Sequence, residues 1–199
     1  MHSLHNLYLK KYKVINKKEM FRKLIKELKQ KRKDEQAYRK IFNLLVKGSY
    51  KEEIKKNLVK RNLNSDLFGS LLNIYIKCEN RNPEEYLKRL FLKFLGNRRK
   101  IEHLVGVLFF YKGDKRPFGK IVERALDRYY FHRKLYQRFF ARDVFFLQKI
   151  ILALGECNQL SAYDKLKKIA KAEEYREPPL AIAAKMALKK LDAARKNET

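Results

Sequence analysis

Tryptophan is absent from this 199-residue chain, and glycine (7), proline (4), cysteine (2) and histidine (4) are scarce. Each shortage excludes something. Cys78 and Cys157 lie too far apart in sequence for a zinc knuckle or a CxxC redox pair. Both sit in apolar helical contexts and read as reduced core thiols. His2, His5, His103 and His132 share no metal-ligand spacing with one another or with the cysteines. The chain has no GxxxxGK[ST], GxGxxG or GxSxG motif. No catalytic residue, cofactor site or metal site is therefore expected, and the chain reads as a non-enzyme. The opening MHSLHNLYLKKYKVINKKEM has no apolar run of signal-peptide length. No stretch approaches the roughly 20 apolar residues of a membrane span. A cytoplasmic protein is the expectation.

Carboxylates are the other shortage. Forty-nine Lys and Arg face 22 Asp and Glu, a formal net charge of +27 and a pI near 10.1. Residues 1–60 are the most basic third. Such a charge repels itself and attracts polyanions: nucleic acid, an anionic membrane or an acidic protein. A lysine-rich excess is also what an AT-rich genome produces, so composition alone does not say whether the charge is selected. At 45% hydrophobic and 13% aromatic, the chain has enough apolar material for a core.

Strand-type alternation is nearly missing, and apolar residues recur at helical spacing almost throughout. Helices are expected over about 17–32, 34–46, the YKEEIKKNLVKR segment capped by Ser49, and LFGSLLNIYIKC opened by Ser65 or Asp66. Asn82, Pro83 and Gly96 bound the next, and another runs from Asn97 to Gly113. One starts at Pro117 and extends through 127, with Asp127 or Asp143 as candidate breaks. DVFFLQKIILALGECN, LSAYDKLKKIAKA and LAIAAKMALKKLDAARK complete the series. Short connections make neighbours pack antiparallel. The fold class is all-α.

IILALGE (150–156) and AKMALKK (184–190) share an Ala-Leu step at the same place in two apolar helices, separated by one amphipathic helix. Helix, turn, helix and repetition is the plan of an α-solenoid, in which each unit buries its apolar face on its neighbour. On these residues the chain resembles the HEAT-repeat family, mainly over 97–195. The family's turn Asp and Val-Arg pair are replaced here by REPPLAIAAK. The resemblance implies antiparallel helix pairs stacked as a short solenoid, and a binding scaffold that holds partners on an extended face. One enzymatic branch, the alkylpurine DNA glycosylases, uses Trp and a site Asp; this chain has no Trp and no acid matched to that role. The organisation expected is a basic arm over 1–16 whose order stays open, a basic helical region over 17–96, and HEAT-like repeats over 97–199.

Three stretches concentrate positive charge, and the first two contain acid-free runs. In DRYYFHRKLYQRFFARDVFF (127–146), Tyr129, Leu135, Tyr136, Phe139 and Phe140 gather on one helical side. Arg128, Lys134, Arg138 and Arg142 form a stripe elsewhere on it, with no Asp or Glu from 128 to 142. Either neighbouring acids neutralise that stripe or it is an anion-binding face. Tyr130 or Phe131 is a candidate for stacking on bases. Residues 86–101 hold Lys88, Arg89, Lys93, Arg98, Arg99 and Lys100, with Arg98 and Arg99 at a helix N-terminus suited to phosphate. The amphipathic 17–33 segment either docks on the following helix or makes peripheral contact with an anionic membrane. The expected function is a scaffold or adaptor binding an acidic partner through a basic face. Sequence-nonspecific nucleic-acid binding through phosphates is the alternative. Oligomeric state is not legible.

Overall fold

A computed structural model describes residues 16–31, 34–48, 50–78, 83–132 and 143–197, and every regular element among them is helical. The chain divides into two compact units, residues 1–80 and 81–199. The sequence places the boundary at 96/97 instead. The division falls earlier because the helix over 84–94 packs against the two that follow it.

The first unit contains α1 (Lys17–Gln30), α2 (Glu35–Lys47), α3 (Lys51–Leu58) and α4 (Ser65–Cys78). Asn16, Asp34 and Asn64 start α1, α2 and α4 by accepting backbone N–H groups that have no partner inside the helix. Ser49 lies outside the described residues, and Tyr50 before α3 makes no side-chain cap. Helix α1 turns Phe21, Leu24 and Leu28 inward, and α1 packs on α2. The run Leu67–Leu72 of α4 is buried on all sides. Tyr38 donates to Ser70 at 2.8 Å, and the Cys78 thiol donates to Val46 O at 3.5 Å. Helices α2 and α4 therefore run side by side in the same direction.

The second unit contains α5 (Glu84–Phe94), α6 (Arg98–Phe110), α7 (Gly119–Leu126), α8 (Val144–Glu156), α9 (Tyr163–Ala172) and α10 (Pro178–Asn197). Asn97 and Asp143 cap α6 and α8. Pro83 sits just before α5, and α6 stops at Phe110, three residues before the Gly113 expected from sequence. The helix expected from Pro117 is entered through a 3-10 turn (Arg116–Phe118), continues as α7, and gives way at Asp127, one of the two candidate breaks, to a π-helical turn (Asp127–Phe131) in which Asp127 O accepts the His132 N–H at 2.8 Å.

Successive helices of this unit alternate between two layers. In one, α5, α7 and α9 run parallel: Phe91 meets Phe118 (ring centroids 5.9 Å), Tyr129 donates to Leu95 O at 2.9 Å, and Lys165 bridges Glu123 and Asp127, each at 2.7 Å. In the other, α6, α8 and α10 run parallel: Arg98 pairs with Asp143, Lys149 with Glu102 at 2.6 Å, and Gln148 donates to Pro179 O at 3.1 Å. Between layers, neighbours are antiparallel: Tyr163 reaches Asp192, and Glu174 reaches Lys185. This is solenoid-like stacking of antiparallel helix pairs. Its core is Leu87, Phe91, Leu104, Leu108, Phe118, Val122, Ile150, Leu154, Leu166, Ile169, Leu180 and Ala184. Burying each large side chain contributes about 1.5–3 kcal/mol.

Candidate polyanion-binding face

The two basic stretches of the second unit meet. The Tyr129 hydroxyl donates to Leu95 O, and its ring stands edge-on to Phe146, centroids 5.1 Å apart. The Arg128 guanidinium lies on Gly96, where a Cβ would stand 3.4 Å from its Nη2. Arg98 stacks over Phe146 at 5.5 Å and is paired with Asp143. That pairing corrects one expectation. The anion at the start of α6 is the Asp143 carboxylate, and the Asn97 side chain accepts the Lys100 N–H.

Lys100 is corrected as well. It is 1% exposed, its Nζ 4.3 Å from the centre of the Phe94 ring. Position 100 falls on the inward side of α6 beside Ile101 and Leu104, so the side chain packs as an apolar stem. Burial first, and then the charge of Lys93, lowers its pKa. Lys88 is held by Glu84 at 2.7 Å and Glu85 at 3.2 Å, and these hydrogen bonds raise its pKa. The acids lie just upstream of the acid-free run. Tyr130 is no stacking platform: it is buried and donates to Glu173 at 2.6 Å. Lys134, Arg138 and Arg142 lie outside the described residues.

Arg89, Lys93 and Arg99 remain, all exposed, with no carboxylate within 4 Å among the described residues. Arg89 and Lys93 stand opposite Leu87, Leu90, Phe91 and Phe94, the buried side of α5. The same construction repeats along the layer. Lys120 and Arg124 stand opposite Ile121, Val122 and Ala125 of α7; Lys168 and Lys171 stand opposite Leu166, Ile169 and Ala170 of α9. All four are exposed and without a carboxylate within 4 Å among the described residues. Three basic pairs thus lie side by side on one outward face. Its acids are Glu85, held by Lys88, and Asp164. The sequence reading missed Lys120, Arg124, Lys168 and Lys171. The available signal was a basic pair three or four residues apart, opposite each apolar stripe.

Carboxylates are spent instead on the seams between helices. Burial pushes the Glu123 carboxyl up, but hydrogen bonds from Lys165, Ser161 and Gln159 together outweigh it and lower its pKa. Burial pushes Lys165 down, and bonds to Asp127 and Glu123 outweigh that in turn. Glu156 is held low first by Lys190 and then by Lys115, against burial. On the opposite layer, Lys149, Lys185 and Lys190 are paired; Arg99, Lys189 and Arg195, the last stacked on Tyr163, are exposed without a carboxylate within 4 Å among the described residues.

In the first unit, Lys18, Arg22, Lys26 and Lys29 make a second cationic surface on α1. The apolar stripe of α1 is packed inward, so its outward side is polar, with Glu19 and Lys23 exposed beside these cations. A cleft of about 310 Å³ between α1 and α4 is lined by Leu28, Lys29, Asn64, Asp66, Leu67 and Ser70. Asn64 is used in capping α4, and Ser70 bonds Tyr38. Burial raises the Cys157 thiol pKa to about 12, away from nucleophilic use. Among the described residues, no three His, Cys, Asp or Glu are placed to hold a metal, and no helix is long and apolar enough to cross a membrane. No protein-family model, curated protein or solved structure matches the chain.

Proposed function

We propose that the chain is a non-catalytic, HEAT-like helical scaffold that docks an acidic partner on the outward face of α5, α7 and α9. One observation carries this reading: Arg89/Lys93, Lys120/Arg124 and Lys168/Lys171 lie on adjacent parallel helices, while the unit's carboxylates are mostly committed to seams. Cations left this way keep their field for a partner and steer its approach. The free thiols of Cys78 and Cys157 suit a reducing compartment, and with it a cytoplasmic location.

The test separates a face from mere net charge. Lys93→Glu, Arg124→Glu and Lys168→Glu combined are compared with Lys18→Glu, Arg22→Glu and Lys26→Glu combined, which change the net charge equally. Binding of labelled polyglutamate is measured for both. The first set is expected to weaken binding by about tenfold or more, and the second much less. Equal losses would overturn the assignment of the face.

A further inference from the structure

The layer that carries this face ends in exposed aromatic rings. Helices α7 and α9 run parallel and finish at one edge, where the Tyr130 hydroxyl bonds Glu173 and ties the two ends together. Just beyond that tie, Phe131 is 40% exposed and Tyr175 is 92% exposed. The Phe131 ring stands edge-on to Tyr130, centroids 4.8 Å apart, which fixes its orientation. Exposed His132 and Arg176 flank the two rings. Single exposed rings are ordinary on a protein surface. Two together at the edge of an uncompensated cationic face form a different arrangement.

Cations that follow a backbone, with rings that accept base faces, are the two parts of a single-strand site. We infer that the partner on this face is a single-stranded nucleic acid, with phosphates along the three basic pairs and bases stacked on Tyr175 and Phe131. This rests on the reading of the basic face given above and names its partner. A duplex satisfies the cations equally but keeps its base faces stacked away from the rings. An acidic polypeptide offers carboxylates and has no general use for the rings. Helix axes about 8–10 Å apart make the three pairs span roughly 20 Å, a short strand's footprint.

The full chain is titrated against a labelled oligothymidylate of about 15 nucleotides, a duplex of equal length, and labelled polyglutamate, at about 50 and 200 mM NaCl. The strand is expected to bind. With about six phosphate contacts, log K against log salt has a slope near −4, roughly a 300-fold loss between those concentrations. Tyr175→Ala is expected to weaken strand binding by about 5- to 100-fold while leaving the salt slope and duplex binding unchanged. Tyr175→Phe keeps the affinity of the unaltered chain. Tyr175 is exposed enough that neither change disturbs packing, which the unfolding midpoint verifies. If the duplex binds as tightly as the strand, or Tyr175→Ala binds the strand normally, the single-strand assignment fails and the basic face stands. Binding of polyglutamate without either oligonucleotide has the same consequence. If none of the three probes binds, both readings fail.

Discussion

A Cβ added at Gly155 would stand 3.0 Å from Ala187 Cα and 3.3 Å from both Ala187 Cβ and Ala187 O. The obstruction is mostly backbone, which can yield only if α8 and α10 move apart. At Gly106, in the middle of α6, an added Cβ meets nothing within 4 Å. The two positions therefore respond oppositely to alanine. Helix propensity favours Ala over Gly by about 0.8–1 kcal/mol at either. At Gly155, overpacking costs about 1–3 kcal/mol. Gly106→Ala is expected to raise the thermal unfolding midpoint by a few degrees and Gly155→Ala to lower it, as followed by circular dichroism. A gain at both positions would refute the close approach. Sequence places Gly155 near the end of an apolar helix but gives no partner for it. The same blindness explains Lys100 and Arg98. Both look like exposed cations in a string, because Phe94 and Asp143 become their neighbours only when α5, α6 and α8 come together.

Elements were far more legible than contacts. Asn16, Asp34, Asn97 and Asp143 are caps readable from residue type and position, and the apolar stripes of α1, α2 and α9 are the faces buried. The π-helical turn was not legible. It follows from consecutive tyrosines being claimed by different helices, Tyr129 by α5 and Tyr130 by the end of α9. The seam between α7 and α9 and the pair around Glu156 also make stability depend on pH. Glu123 and Glu156 have folded pKa values below the ordinary 4.5. Their stabilisation is complete above that value and is lost as pH falls through the lower folded values. Lys165, with its folded pKa raised, contributes below 10.5 and loses its contribution as pH rises through the folded value. The unfolding midpoint should be flat near neutrality and fall as pH drops below about 4.5. Glu156→Gln should have a lower midpoint at pH 7 and a shallower acid slope. An unchanged acid slope would remove Glu156 from the account.

At the scale of the whole chain, the formal charge of +27 is plain from composition, but where it stays uncompensated depends on which carboxylates the fold consumes. Glu123, Asp127, Asp143 and Glu156 go to seams, and the outward faces of α5, α7 and α9 keep their lysines and arginines. Repulsion among those cations and among Lys18, Arg22, Lys26 and Lys29 of α1 acts over distances that salt screens. The Debye length shrinks from about 30 Å at 0.01 M to about 8 Å at 0.15 M. Contact ion pairs lie well inside even the shorter length, and exposed ones contribute only about 0–1 kcal/mol each. Relief of repulsion should therefore dominate. The thermal unfolding midpoint is expected to rise when NaCl goes from about 10 to 150 mM, even as salt weakens any polyanion complex. The triple reversal of Lys93, Arg124 and Lys168 to Glu lowers the net charge by six and should reduce that rise. A midpoint that falls with chloride in the unaltered chain would mean that ion pairs, not unspent cations, dominate its electrostatics, and the docking face would lose its basis.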